Sequence, residues 1–242
     1  MFPIRDHNPS NRTPWVTWTL IALNCLVYLL TADWGGQMRG LWAWGALYPD
    51  AVTHGFYLHG LFTYMFLHAG LMHIGGNMLF LWVFGDNLED QLGPLGFLLF
   101  YLAGGLAAAG AQIALDPWSP VPMVGASGAI AAVMGGYLLM FPRARVDILV
   151  ILIIVYKIFT IRAWIVLGFW FGLQLLNSLG ASSDGVAYIA HIGGFLAGLA
   201  MVLPLFLARG GPAFWRDTQG QPPHPSIDYV ATTVPVVRRR KR

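Results

Sequence analysis

Residues 186–207 read VAYIAHIGGFLAGLAMVLPLFL, an apolar run in which only His191 carries a group that titrates near neutral pH. A transmembrane helix needs about 20 predominantly apolar residues, so this stretch predicts a helix that crosses a bilayer. The rest of the chain has the same character, because 57% of its 242 residues are hydrophobic and only 10% are charged. Soluble domains are about 25% charged. The composition therefore excludes an ordinary soluble domain and places most of the chain in lipid.

Five more apolar stretches precede this run, and loops rich in proline, glycine or charge separate them. The three prolines between positions 117 and 122, for example, cannot continue a helix. The sequence therefore predicts an all-α membrane protein in which residues 15–208 form a bundle of six transmembrane helices. The predicted spans are about 15–32, 71–83, 95–115, 127–141, 163–179 and 186–207.

The segments between and beyond the spans differ in composition. Residues 1–14 are polar, and residues 33–69 mix aromatic side chains with Gly, Pro and His, which suits the membrane–water interface. Residues 86–90 predict a polar turn, and residues 146–162 predict an interfacial or re-entrant piece. Residues 209–242 are rich in proline and end in five basic residues, so we expect a disordered basic tail.

The basic residues predict the orientation of the chain. If both ends of a six-span chain lie in the cytoplasm, every Lys and Arg except Arg39 falls on the cytoplasmic side, as the positive-inside rule requires. We therefore expect a multi-pass membrane protein with both termini in the cytoplasm. The short start without a transit peptide suits a bacterial inner membrane. The terminal basic cluster either contacts anionic lipid heads or serves only as a topological signal.

Four polar side chains lie at a similar depth below the predicted outer surface. His73 and Asn77 begin the second span, Ser127 begins the fourth, and His191 lies about five residues into the sixth. Polar groups inside a bilayer are costly, which makes each of them a candidate functional residue. The inner halves of these spans hold almost nothing comparable, so the shared depth indicates a site.

Ser127 stands in the stretch Gly125-Ala126-Ser127-Gly128 at the start of a predicted helix. The two glycines let the backbone turn sharply and let other groups approach closely. The start of a helix leaves backbone N–H groups without partners, and such donors suit a developing oxyanion. The alternative is a serine that only caps a glycine-rich helix, and for this pattern alone that is the commoner case.

His191 is followed by Gly194 and Gly198, a GxxxG pair of the kind that lets membrane helices pack closely. Close packing of the fourth and sixth spans would bring His191 within hydrogen-bond distance of Ser127, as serine activation requires. A lone histidine in a span is otherwise a packing residue or a polar bridge. No Asp or Glu lies in the outer halves of the second, fourth and sixth spans, so the sequence predicts a Ser-His dyad without an acidic third member.

His73 and Asn77 are spaced i, i+4, so their side chains share one face of the second span. Both donate hydrogen bonds without adding a fixed charge, which is the chemistry of a side-chain oxyanion hole. The alternative is a polar clamp between two helices. A metal site is disfavoured, because His68 and His73 point in different directions and no HExxH pattern or acidic ligand accompanies them. We expect no metal, no cofactor and no nucleic acid.

Taken together, these patterns resemble the rhomboid intramembrane proteases. The resemblance covers about residues 1–208 and rests on motifs that follow one another on the second, fourth and sixth spans. It implies a rhomboid-like six-helix bundle in which residues 33–69 form a membrane-dipping first loop. The motifs are His68-x4-His73-x3-Asn77, Gly125-x-Ser127-Gly128 and Ala190-His191-x2-Gly194-x3-Gly198.

The resemblance also implies a role for each residue. Ser127 would be the nucleophile and His191 its general base, while His73, Asn77 and the Ser127 backbone N–H would hold the oxyanion. His68 would be a buried structural residue of the loop. The family cleaves transmembrane proteins near the outer membrane face. The expected partners are therefore single-span or multi-span membrane-protein substrates and the lipid bilayer.

The chain departs from the family pattern in two places. The first loop of the family usually carries a Trp-Arg pair where this chain has His59 and Gly60, and a tyrosine that some members place below the histidine is here Ala131. A different residue must therefore support His191. Two rival functions remain: an inactive rhomboid-like binding protein or chaperone would be expected to lack the serine or the histidine, and a transporter would carry charged residues near the midplane.

Overall fold

Ten α-helices, one short 3-10 helix and three strands make up the part of the chain that the computed structural model describes, residues 2–8, 10–32, 39–152, 155–180 and 186–223. The helices are α1 (Trp15–Thr31), α2 (Arg39–Gly45), α3 (Pro49–Thr53), α4 (Gly60–Thr63), α5 (Leu71–Leu92), α6 (Pro94–Leu115), α7 (Ser127–Met140), α8 (Ala163–Ser178), α9 (Tyr188–Ala208) and α10 (Pro212–Asp217). The 3-10 helix is Tyr64–Phe66, and the strands are β1 (Phe2–Asp6), β2 (Arg145–Leu152) and β3 (Val155–Arg162).

Helix length decides which elements can cross a bilayer. Among the described residues, α6 and α9 are each long and apolar enough to do so. A third span exists if α5 is counted together with Gly60–Phe66, from which it is bent by 91°. α1, α7 and α8 are apolar but shorter, at 17, 14 and 16 residues. Each predicted span therefore corresponds to one helix, while the number of six membrane crossings stays a prediction.

Helix α7 lies at the centre of the bundle, where every residue from Gly128 to Tyr137 is buried. Much of this helix is Gly and Ala, and small residues let neighbouring helices approach closely. A Cβ atom added at Gly194 or Gly198 of α9 would collide with a backbone carbonyl of α7. The two helices are therefore in backbone contact at the glycines of the GxxxG pair.

Large apolar side chains cover the outside of the bundle on α1, α5, α6, α8 and α9. Isolated exposed apolar residues are ordinary on any protein surface, but an exterior that is apolar on so many helices requires an apolar solvent. This exterior is the surface that an integral membrane protein presents to lipid. Exposed examples, one from each of these helices, are Leu29, Trp82, Leu99, Phe169 and Leu196.

A three-stranded antiparallel sheet in the order β1-β2-β3 corrects the predicted all-α class. It is built from residues that were expected to be a polar N-terminal segment and an interfacial piece. β2 and β3 are rich in Val and Ile, which favour strands. Asp147 of β2 accepts hydrogen bonds from Arg5 at 2.8 Å and Thr160 at 2.7 Å. One buried carboxylate thereby joins all three strands.

The predicted polar turn at residues 86–90 is wrong, because α5 continues through it. The Glu89 carboxylate accepts hydrogen bonds from the backbone N–H groups of Val16 and Thr17 at 2.9 and 2.8 Å. The first N–H groups of a helix have no acceptor within that helix, so Glu89 caps the start of α1. The turn follows at Gly93, whose φ of 73° suits glycine.

The first part of the predicted disordered tail, residues 209–223, is folded. The indole N–H of Trp215 in α10 donates to the carbonyl of Leu139 at 2.9 Å, and the backbone N–H of Arg143 donates to the carbonyl of Gly220 at 2.8 Å. This segment packs beneath α7 because its aromatic residues have an apolar surface to cover. The basic cluster at 238–242 lies outside the described residues.

Candidate active site

Ser127 and His191 come together because the two helices that carry them are in backbone contact. Ser127 is the first residue of α7, and His191 lies near the start of α9. The distance between Ser127 Oγ and His191 Nε2 is 2.8 Å. A hydrogen bond of this length is what proton transfer between a nucleophile and its base requires. The structure thus juxtaposes the two residues that the sequence motifs single out.

Gln174 of α8 is a third member of this group, and the sequence motifs do not include it. Its Oε1 lies 2.9 Å from His191 Nδ1, and the side chain is only 7% exposed. Trp170, one turn earlier on α8, places its ring 5.8 Å from the His191 ring. α8 therefore supplies the support for His191 that Ala131 cannot give. The available signal was an amide within the otherwise apolar stretch 163–176, where polar groups are costly.

His73 faces the loop that precedes Ser127. The backbone N–H of Ala69 donates to His73 Nδ1 in a long hydrogen bond of 3.4 Å. A neutral imidazole that accepts on Nδ1 carries its proton on Nε2. A Cβ atom added at Gly125 would lie 2.7 Å from that Nε2. His73 therefore presents an N–H donor beside the nucleophile. His68 is buried, as the resemblance implies, and its ring packs edge-on against His73.

Asn77 lies one turn further along α5 and also lines the cleft. Its side chain is 8% exposed, and its Nδ2 has no hydrogen-bond partner among the described residues. A buried donor left unsatisfied costs about 1–3 kcal/mol. The Asn77 amide nitrogen is therefore a donor that is available for a partner which the described residues do not supply.

The loop before Ser127 is held from the side opposite His191. Gly125 has a φ of 127°, a conformation that favours glycine, and its N–H donates to the carbonyl of Tyr64 at 2.9 Å. Leu47 and Met123 exchange backbone hydrogen bonds of 3.0 and 2.8 Å. The Ser127 backbone is therefore fixed by the first loop as well as by its own helix.

The first loop is itself anchored without the usual Trp-Arg pair. His59 Nε2 donates to the carbonyl of Trp44 at 2.7 Å, and the two rings stack with their centroids 4.2 Å apart. The Thr63 hydroxyl donates to the carbonyl of Gly45 at 2.6 Å. His59, which the sequence motifs leave without a role, thus closes the loop in place of the missing pair.

A cleft of about 860 Å³ lies beside Ser127. His73 and Asn77 of α5, Ser127 of α7 and His191 of α9 all line it, together with apolar side chains such as Ile130. Ser127 and Gly128, whose backbone N–H groups have no acceptor within their own helix, both line this cleft. The arrangement contains a hydroxyl nucleophile, a base and several neutral donors, which is the equipment for acyl transfer.

Comparison with known proteins identifies the family of the chain. The model of the rhomboid domain matches residues 55–208. The chain is 31% identical over 211 residues to Rhomboid protease GluP of Bacillus subtilis strain 168, a match that covers 84% of the chain and 37% of that protein. It is 34% identical over 167 residues to Rhomboid-related protein 2 of Mus musculus, covering 63% of the chain and 51% of that protein.

A third relative is Rhomboid protease GlpG of Salmonella choleraesuis strain SC-B67, to which the chain is 30% identical over 191 residues. This match covers 77% of the chain and 61% of that protein. The chain spans less than two thirds of the length of each of these three relatives. The matched domain, the identities and the apolar helices together show that the chain is an integral membrane protein of the rhomboid family, a family of intramembrane serine proteases.

Proposed function

We propose that this protein is an intramembrane serine endopeptidase that cleaves transmembrane proteins near the outer membrane face. The observation that carries the proposal is the 2.8 Å hydrogen bond between Ser127 Oγ and His191 Nε2 in a cleft lined with neutral donors. The rhomboid relatives support it, since two of them are named as proteases.

The reaction begins when His191 Nε2 takes the proton of Ser127 as Oγ attacks the substrate carbonyl. The carbonyl oxygen becomes an oxyanion, which His73 Nε2–H, Asn77 Nδ2–H and the Ser127 backbone N–H stabilise. His191 then gives its proton to the departing amine, which leaves an acyl ester on Ser127. Water attacks this ester with His191 again as base, and the second product carries the new carboxylate.

Substrate recognition follows from the surroundings of the site. A helix in lipid satisfies its own backbone hydrogen bonds, so the scissile peptide must leave the helical conformation before Ser127 can reach its carbonyl. The apolar parts of the cleft suit the side chains of such a segment. The chemistry thus favours a membrane-spanning protein with a locally unstable helix as the substrate.

The orientation forms part of the same proposal. With both termini and the sheet in the cytoplasm of a bacterial inner membrane, Ser127 faces the external side. Single cysteines introduced at Asn11 and Trp118, which lie at opposite ends of the bundle, test this in Cys25→Ser protein. We expect a membrane-impermeant maleimide to label position 118 from outside intact cells and to leave position 11 unlabelled.

The test of function is cleavage of a single-span substrate in proteoliposomes by the wild type and by Ser127→Ala and His191→Ala. We expect cleavage by the wild type alone, with a fluorophosphonate labelling the wild type on Ser127. Ser178→Ala and His54→Ala are matched controls, because both side chains bond only to the backbone near them, outside the cleft, and should leave cleavage unchanged.

Equal cleavage by all the variants would refute the dyad. Folded wild type that neither cleaves nor labels would instead support the rival function, an inactive rhomboid-like membrane-protein binder or chaperone.

A further inference from the structure

We propose that Gln174 is a positioning residue that fixes the tautomer and the ring orientation of His191. The inference rests on the proposed function, since it concerns the base of that reaction. Gln174 acts through His191 and does not itself touch the reacting atoms. Its place in the site is that of the acidic third member, which this chain lacks in the spans around the site.

The orientation of the Gln174 amide follows from its second contact. Gln174 Nε2 lies 3.4 Å from the carbonyl oxygen of Trp170, and a carbonyl only accepts hydrogen bonds. The amide nitrogen must therefore face Trp170, and the amide oxygen must face His191. A reversed amide would set Oε1 against the Trp170 carbonyl, with no proton between two acceptors.

This orientation determines which nitrogen of His191 carries the proton. Gln174 Oε1 is an acceptor, so His191 Nδ1, 2.9 Å away, must donate to it. In the neutral ring the proton then resides on Nδ1, and Nε2 is left with a lone pair. That lone pair faces Ser127 Oγ at 2.8 Å. The tautomer that Gln174 selects is the one that can accept the serine proton.

A neutral amide suits this position better than a carboxylate would. Gln174 is buried in a span of the bundle, where a fixed charge is costly. The amide oxygen still carries a partial negative charge, which faces the imidazolium that forms when His191 is protonated. Gln174 therefore orients the His191 ring as the acidic member of a catalytic triad would, without placing a charged side chain in the interior of the bundle.

The buried residues of α8 offer few alternatives to Gln174 as a hydrogen-bond partner of His191. The buried residues of this helix are Ala163, Leu167 and Gln174. Leu167 and Gln174 are seven residues apart, which is close to two helical turns, so they lie on the same face. Gln174 is the only one of the three that can form a side-chain hydrogen bond.

Three variants on α8 test the proposal. Gln174→Leu keeps the approximate volume and removes the acceptor, whereas Gln174→Glu keeps an acceptor oxygen at the same place. Asn177→Leu is the matched control, because Asn177 is an exposed amide on the same helix. The measurements are the kinetics of cleavage, the rate of fluorophosphonate labelling of Ser127, and 15N chemical shifts of His191 in histidine-labelled protein.

We expect Gln174→Leu to lower kcat by about 10- to 100-fold with little change in KM, less than the 10²–10⁴ that a whole general base is worth. The labelling rate should fall in parallel, because the reagent depends on the same nucleophile. The 15N shifts should show a proton on Nδ1 in the wild type and a mixture of tautomers in Gln174→Leu. Gln174→Glu should recover at least part of kcat, and Asn177→Leu should match the wild type.

An unchanged kcat with a single unchanged tautomer in Gln174→Leu would overturn the inference, and so would a proton on Nε2 in the wild type. A loss of kcat in Gln174→Leu that Gln174→Glu does not recover, with the tautomer unchanged, would also overturn it in favour of simple packing. Failure of the proposed function gives a different pattern, namely a wild type that neither cleaves nor labels, and the NMR measurement still decides the tautomer in that case.

Discussion

Helices α9 and α8 both surround His191, but they are held to the bundle in different ways. α9 meets α7 through backbone atoms, because Gly194 and Gly198 place no side chain between α9 and the backbone carbonyls of α7. α8 meets the bundle through side chains, among them Gln174 on His191 and Phe171 stacked on Phe195. The helices that carry Ser127 and His191 are thus in backbone contact, whereas α8 reaches His191 only through side chains, the Gln174 amide and the Trp170 ring.

The largest effect on cleavage is expected when the backbone contact between α7 and α9 is broken. In Gly194→Ala the new methyl group meets the carbonyl of Gly128, so α9 must move away from α7. Overpacking of this kind costs about 1–3 kcal/mol or more. We expect cleavage to be lost and the midpoint of thermal unfolding in detergent to fall by several degrees.

The matched control for that change is Gly172→Ala on α8, where an added Cβ meets nothing within 4 Å. It should leave cleavage unchanged and leave stability equal or slightly higher, since glycine within a helix costs about 0.5–1 kcal/mol relative to alanine. If Gly172→Ala and Gly194→Ala had the same effect on cleavage and on thermal unfolding, the closer packing of α9 would not matter for activity or stability.

The next effect concerns the loop that carries the nucleophile. Gly125→Ala would strain a backbone with a φ of 127° and push against His73 Nε2, 2.7 Å from the new methyl group. We expect kcat to fall by about 10²–10³, as on loss of an oxyanion donor. Gly75→Ala on α5 is the control, because its Cβ would meet open space. Cleavage by Gly125→Ala at the wild-type rate would contradict the placement of His73 beside the nucleophile.

Asn77→Leu should separate catalysis from stability. Leucine removes the donor, so kcat should fall by about 10²–10³. It also removes a buried amide nitrogen that lacks a partner among the described residues, so the midpoint of thermal unfolding should stay equal or rise. Kinetics and thermal unfolding of the same sample test both parts. A large loss of stability would indicate that Asn77 is the inter-helix clamp considered in the sequence analysis.

The smallest effects are expected in the sheet, where the pKa values of two carboxyl groups are shifted in opposite directions. Burial, together with the nearby Asp86 carboxylate, raises the pKa of Asp6 to about 7. Burial also acts to raise the pKa of Asp147, but hydrogen bonds from Thr160, His7 and Arg5 outweigh it and lower that pKa to about 2. The two groups should therefore contribute to the pH dependence of stability in opposite directions.

Because the folded state holds the Asp6 proton more tightly than the unfolded state, the free energy of unfolding should fall as pH rises from about 4 to about 7. The contribution of Asp147 is present above about pH 4 and is lost as pH falls toward 2. We expect Asp6→Asn to flatten the pH dependence of thermal unfolding between pH 5 and 8. The exposed Asp217→Asn is the control and should keep the wild-type profile.

The apolar helices and the proximity of Ser127 to His191 could be predicted from the sequence because lipid penalises polar groups strongly. Ser127 and His191 stand out only because their surroundings are apolar. The sheet could not be predicted in the same way, because a short apolar run such as β2 does not distinguish a strand from a buried helical segment. Its decisive contact, Arg5 with Asp147, joins residues far apart in the chain.

Two other features could not be predicted from the sequence for a related reason. The helical ending of α5 depends on Glu89 capping α1, a contact between two spans that no local pattern shows. No sequence motif includes Gln174, so only its hydrogen bond with His191 in the folded chain indicates its role. Contacts between helices that no sequence motif marks are therefore the ones that the sequence alone does not predict.

The length of α7 has a consequence for how water reaches the ester intermediate. At about 1.5 Å per residue, its 14 residues extend only about 21 Å, whereas the hydrocarbon core of a bilayer is about 30 Å thick. A helix that faces lipid must match that thickness, but α7 is enclosed by protein and is free of the requirement. The missing length leaves room for the cleft that Ser127 lines at the start of α7, and water that enters this cleft would meet an acyl ester on Ser127 without crossing lipid.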